Sequence, residues 1–227
     1  MEPSGSIMFL NVNKNIYIKK RIMRFREFEI KIRPLPAFNL NDVRKIDPGF
    51  HRQQLNTWLR QGYIQPLAGC YYALAEQQVD EMYLFVLANR IYQPSYVSLE
   101  SALAYYAILP ETVFGVTSVS ARKTKQFESA RGVFSYRSMS PHYMIGYQVV
   151  EPSPGYKFKI ALLEKAILDY LYLNTDIRST ADFEELRWNQ AQLLDRLDAS
   201  VFAKFINIIG KRSLISRANT FLEYLGA

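Results

Sequence analysis

Pro34 and Pro36, the Asp47-Pro48-Gly49 turn, Gly62 and the Ala68-Gly69 pair cut residues 34–75 into segments of about a dozen residues or fewer. No long helix fits between such breaks, so this part of the chain must fold from short elements joined by tight turns. In "FNLNDVRKI", Asn39 is placed to cap a helix, Asp42 falls in its first turn, and Leu40, Val43 and Ile46 share one face. A second helix is expected over 50–61, with Leu55, Trp58 and Leu59 as a narrow buried stripe and Gly62 as its stop. Two short strands then follow, over 63–67 and 70–75, with Cys70 a small buried residue of the second.

Upstream, Ile22, Phe25, Phe28 and Ile32 fit a helical stripe, while Phe28, Ile30 and Ile32 also alternate as a strand would. Residues 1–20 show no clean period. They read as a flexible leader over 1–21, an extra strand, or sequence upstream of a start at Met23.

A short helix, a turn, a second helix and a hairpin follow one another in the order of a winged helix-turn-helix, expected over 22–78. Residues 50–61 would be the recognition helix and the hairpin the wing. Charge agrees with this reading. Residues 1–78 hold 12 Lys and Arg against 6 Asp and Glu, nearly the whole net charge of +7, and no acid lies between Asp47 and Glu76. A surface that meets phosphates excludes carboxylates, and a basic end on a near-neutral chain points to a polyanion partner. Arg52 and Arg60 are suited to guanine or phosphate, and Gln53, Gln54 and Asn56 to adenine. His51, Thr57 and Gln65 join the expected DNA-binding set, with Arg44 and Lys45 at the backbone. Against this stands the plainer reading of a solvated polar face, and a winged helix can also dock a protein and never touch DNA.

Residues 79–227 read as a second, mixed α+β unit with a helical end. Helices are expected over 76–92 and from Ser98 or Ser101 to Pro110, with a turn at Gln93-Pro94-Ser95 between them. Strands are expected over 113–118, 132–137, 145–150 and 156–160, and the last leads into the helix "ALLEKAILDYLYL". Further helices are expected over 183–197, 201–209 and 213–224. The whole chain is therefore expected to be α+β.

Chemistry-bearing constellations are sparse. There is no G-x-x-x-x-G-K-[ST] and no G-x-G-x-x-G, so no cofactor is expected. Two histidines and one cysteine are too few for a structural zinc site, and a single cysteine suits a reducing cytoplasm. No apolar run approaches the roughly 18 residues of a membrane span. His51 and His142 have no Ser, Cys or Asp partner in a motif. The one constellation suited to a nuclease is Glu164-Lys165 with Asp169, in which Lys165 and Asp169 can simply pair at i,i+4. The chain is not expected to be an enzyme. A second basic cluster, Arg122, Lys123, Lys125, Arg131 and Arg137, interleaves with Phe127, Phe134 and Tyr136. It is either a functional surface or a solvated loop.

Residues 87–139, "LANRIYQPSYVSLESALAYYAILPETVFGVTSVSARKTKQFESARGVFSYRSM", followed by "IALLEKAILDYLYL", resemble the AbiEi-type antitoxins of bacterial type IV toxin–antitoxin systems. The resemblance covers about residues 38–227, with "PSYVSLESAL" and "EKAILDYLY" its more specific parts. It implies an N-terminal winged helix that represses the operon's own promoter. It also implies a C-terminal antitoxin domain that opposes a nucleotidyltransferase-like toxin without a stable complex. The basic cluster would then be an antitoxin surface. The chain departs from the pattern in its leader of about 20 residues.

Overall fold

The computed structural model describes residues 23–109 and 115–226. The leader over 1–21, Pro110 and the start of the strand expected over 113–118 lie outside the described residues. Among the described residues the chain is mixed α+β.

Short local rules account for the N-terminal elements. Helix α1 (Phe25–Ile32) resolves the ambiguous stripe: Phe28 and Ile32 are buried, whereas Ile30 is 67% exposed, as a 3.6-residue period requires. Helix α2 (Leu40–Ile46) opens on a reciprocal cap, in which the Asn39 side chain accepts from the Asp42 amide and Asp42 accepts from the Asn39 amide. Asp47 accepts from the Gly49 amide at 3.0 Å, which turns the chain into α3 (Arg52–Arg60). Gly62, at φ +73°, ends α3, and the Tyr63 amide reaches back to the Trp58 carbonyl.

Strands β1 (Ile64–Pro66) and β2 (Tyr72–Leu74) pair antiparallel. Phe38, between α1 and α2, bridges Tyr72 through two backbone hydrogen bonds of 2.8 and 2.9 Å. Phe28, Phe38, Phe50 and Trp58 pack ring against ring in a small apolar cluster of their own. Cys70 departs from expectation. It is exposed in the turn closed by the Tyr71 amide on the Ala68 carbonyl, because the strands are shorter than their apolar runs suggested.

The remainder is built on a six-stranded sheet of order β5-β6-β4-β3-β8-β7. Its strands are β3 (Ser95–Val97), β4 (Val116–Ser120), β5 (Lys125–Ser129), β6 (Gly132–Ser138), β7 (Tyr147–Ser153) and β8 (Tyr156–Ala161). β4 and β6 run parallel, as do β3 and β8; the other neighbours are antiparallel. Helix α4 (Glu81–Ile91) packs on one face, where Phe85 meets Phe158 and the Tyr136 hydroxyl donates to the Ala88 carbonyl at 2.7 Å. Helix α5 (Leu99–Tyr105) follows β3, and α6 (Leu163–Leu173) follows β8. Helices α7 (Thr180–Glu185), α8 (Gln190–Arg196), α9 (Ala199–Ile209) and α10 (Arg212–Leu225) complete the chain; α9 and α10 pack on α6, and α7 packs on α10.

Four expectations are corrected. The turn at Gln93-Pro94-Ser95 leads at once into the central strand β3, all three of whose residues are buried, so no polar alternation marks it. Lys125 begins strand β5 and does not lie in a loop. The helix expected over 76–92 starts only at Glu81, where Asp80 caps it through the Tyr83 amide. The helix expected over 183–197 is broken in two: Arg187 takes φ +52°, Trp188 turns into the core, and Asn189 caps α8.

Candidate nucleic-acid interface

At about 100° per residue, Arg52, Gln53, Asn56 and Arg60 of α3 fall within an arc of about 100°, with buried Trp58 opposite it, buried Leu55 about 60° beyond Arg52, and half-buried Leu59 beside Arg52. All four are exposed, and among the described residues their side chains have no hydrogen-bond or ion-pair partner. His51 sits at the N-cap position of α3, exposed and without a side-chain cap. Thr57 is exposed too, its hydroxyl donating to the Gln53 carbonyl.

Gln54 is different. It lies half-buried beside the apolar stripe, and its amide donates to the Met23 carbonyl at 2.9 Å, which ties α3 to the start of α1. Gln65 is half-buried on β1 opposite Ala73. Arg44 and Lys45 are exposed on the last turn of α2, with Lys45 3.9 Å from Asp42. The structure thus gathers Arg52, Gln53, Asn56 and Arg60 on one free face, and assigns Gln54 to packing.

Several polar links among the described residues join this unit to the sheet. Arg90 of α4 pairs with Asp42 at 2.8 Å. The Tyr83 hydroxyl donates to the Pro36 carbonyl at 2.7 Å, and burial pushes its ionisation up. Gln77 donates to Tyr156, whose hydroxyl donates to the Arg33 carbonyl. Arg131 donates to the carbonyls of Leu74, Ala75 and Gln77 at 2.8–2.9 Å. Ala37, Leu67, Ala68 and Ala73 complete the junction by packing into the larger core.

The second basic cluster is dispersed. Arg131 is taken up in that junction. Arg122 lies over the Tyr92 ring at 4.3 Å, and Lys125 over Phe127 at 4.7 Å; the two rings touch each other on the α4 face. Lys123 is exposed, and its carbonyl accepts from the Tyr92 hydroxyl. Arg137 is exposed one residue after Tyr136, hence on the opposite face of β6.

Glu164, Lys165 and Asp169 do not form one site. Lys165 and Asp169, 0% and 1% exposed, are paired inside the fold. The ammonium also donates to the Tyr96 hydroxyl at 2.9 Å, and Asp169 accepts from Tyr96 and Ser98, both at 2.8 Å. Burial, and then the Asp169 charge, push the Tyr96 phenol far up. Glu164 accepts instead from the Asp198 amide, at the head of α9. Sequence reasoning missed Tyr96 and Ser98. A charged i,i+4 pair on an otherwise apolar helix was the available signal, since a buried carboxylate needs donors beyond its counter-ion.

Among the described residues, no group of three or more His, Cys, Asp or Glu is placed to hold a metal ion, and no helix is long and apolar enough to cross a membrane. No protein-family model matches the chain, and no curated protein matches it.

Proposed function

We propose that residues 23–75 are a winged helix-turn-helix that binds double-stranded DNA, with α3 lying in the major groove and the β1–β2 hairpin as the wing. The reading is supported by the element order: α1, the bridging position Phe38, α2, α3, then two strands. The observation that carries it is the free face of α3. Four donor-bearing side chains stand exposed and unpartnered on a helix of nine residues, about 13 Å long. With its side chains such a helix is about 10–12 Å across, which fits a major groove about 12 Å wide. A face left without internal partners and without a carboxylate is ready for phosphates and base edges.

In the proposed cellular role the chain is a cytoplasmic repressor of its own promoter and the antitoxin of a type IV pair. Its functional partner would be a nucleotidyltransferase-like toxin. This part rests on the resemblance of residues 87–139 and 160–173 to AbiEi-type antitoxins.

The test is a band-shift titration on the DNA upstream of its reading frame, beside rescue of cells expressing a nucleotidyltransferase-like toxin. Arg52→Ala with Gln53→Ala is expected to cost about 1–3 kcal/mol per lost base contact and to leave rescue intact. A double variant that binds as tightly as wild type refutes the assignment of the face. Rescue without any promoter binding favours the protein-docking use of the same module.

A further inference from the structure

The six-stranded sheet ends in β5 on one side and in β7 on the other. An edge strand presents unpaired N–H and C=O groups, and folded proteins commonly blunt such edges with charge. β5 is blunted in this way, with Lys125 and Glu128 exposed along it. β7 is not. From Tyr143 to Val150 the chain carries no Lys, Arg, Asp or Glu, and Tyr147 and Val149 are 38% and 59% exposed.

The neighbour of β7 shows which of its backbone groups are free. Val149 lies opposite Lys159 of β8. The Lys159 amide donates to the Asn89 side chain of α4 at 2.8 Å, and its carbonyl accepts from the same side chain at 3.3 Å. Both groups therefore point away from β7, and those of Val149 point away from β8. At the start of the strand the Gly146 carbonyl accepts from the Leu162 amide at 2.9 Å, so Gly146 faces inward and the alternation turns Tyr147 outward. The N–H and C=O groups of Tyr147 and Val149 thus lie on the open edge, and among the described residues nothing bonds them.

We infer that β7 is the docking edge for a second copy of this chain, paired antiparallel about a two-fold axis at Gln148. In this register Tyr147 faces Val149 of the partner subunit, and Val149 faces Tyr147 of the partner subunit. Each of these pairs exchanges two hydrogen bonds, which satisfies the four free groups of each copy. An aromatic ring against a β-branched side chain is a favourable cross-strand pair, and here it covers the exposed apolar surface of both copies. The occupant is a second copy because the edge is its own complement: its outward residues are placed symmetrically about Gln148. The uncharged stretch 143–150 also lets two chains of net charge +7 meet without like charges opposed. Glu151 and Lys157, 3.1 Å apart, fall outside the paired residues. The inference does not rest on the DNA-binding reading.

The experiment is sedimentation of the full chain across the micromolar range, with dimer growing as concentration rises. Val149→Lys puts a charge on the edge and is expected to weaken dimerisation about tenfold or more. Because Val149 is exposed, the melting temperature at high dilution should not change. In a Cys70→Ser background, Gln148→Cys is expected to form a disulfide between copies, since facing Cα atoms about 4.5 Å apart lie within the span of a disulfide. Ser153→Cys, exposed further along β7, should not. The proposal is overturned if the chain stays monomeric, if Val149→Lys dimerises as wild type does, or if Gln148→Cys crosslinks no faster than Ser153→Cys. Protection of the Tyr147 and Val149 amides from hydrogen exchange that is equal at every concentration also overturns it, because the edge is then covered within one chain.

Discussion

Lys165→Met removes the ammonium from the most enclosed charge cluster among the described residues. Lys165 is 0% exposed, and its loss leaves the Asp169 carboxylate, 1% exposed, with only the Tyr96 and Ser98 hydroxyls. Breaking a buried pair from one side costs about 3–5 kcal/mol, because the remaining charge has lost its counter-ion and cannot reach water. For a chain of this length that is a fall in melting temperature of about 6–20 °C, at about 2–4 °C per kcal/mol. Asp169→Asn strands the ammonium instead and should cost a similar amount. Adding Asp169→Leu to Lys165→Met removes both charges but orphans two hydroxyls, each worth about 1–3 kcal/mol. The double variant should therefore cost about 2–6 kcal/mol, well below the sum of about 6–10 kcal/mol for the single ones. Thermal unfolding followed by far-ultraviolet circular dichroism measures all of these. A cost below about 1 kcal/mol for Lys165→Met, with additive double-variant energies, would refute the argument.

Gln53→Ala should weaken promoter binding by about 1–3 kcal/mol, whereas Gln54→Ala should lower thermal stability and leave base discrimination unchanged; equal effects of the two on DNA would contradict the placement of Gln54 against Met23. Arg131→Ala strips three hydrogen bonds from a half-buried junction, with an expected cost of about 1.5–3 kcal/mol. Limited proteolysis should then cut faster within residues 75–80, and an unchanged cleavage rate would mean that the apolar contacts hold the junction alone. Burial raises the ionisation of Tyr83, Tyr96 and Tyr136 above the ordinary value of 10.0, and that of Tyr106 to about 12. Their neutral forms support the fold fully below pH 10, and that support is lost as the pH rises through the folded-state values. Melting temperature against pH should thus begin to fall near pH 10, and a level profile up to about pH 12 would refute this.

The elements legible in the sequence are those whose causes lie within a few residues. Asn39 and Asp42 make their reciprocal cap across three residues, and Gly62 stops α3 one residue past its cap. The apolar stripe Leu55, Trp58 and Leu59 orients α3 whatever surrounds it, so the free face with Arg52, Asn56 and Arg60 follows from the sequence by itself. Helix α6 is legible for the same reason, and so is the alternation of Phe134 and Tyr136 on β6. Tertiary structure decided what depends on partners far along the chain. β3 carries no readable period because α4 and the Lys165–Asp169 cluster bury both its faces, and the hydrogen bond from Tyr96 to Asp169 spans 73 positions. β5 became a strand only because β6 returned beside it, which turned a basic stretch into an edge. Gln54 and Gln53 are indistinguishable as residues, and 100° of helix rotation assigns one to packing and the other to solvent. Arg131 and Arg137 are six residues apart in one basic run. The pleat of β6 and the docking of residues 74–77 sent one into the junction and the other to the surface, since period and capping are properties of neighbours and burial is a property of the whole fold.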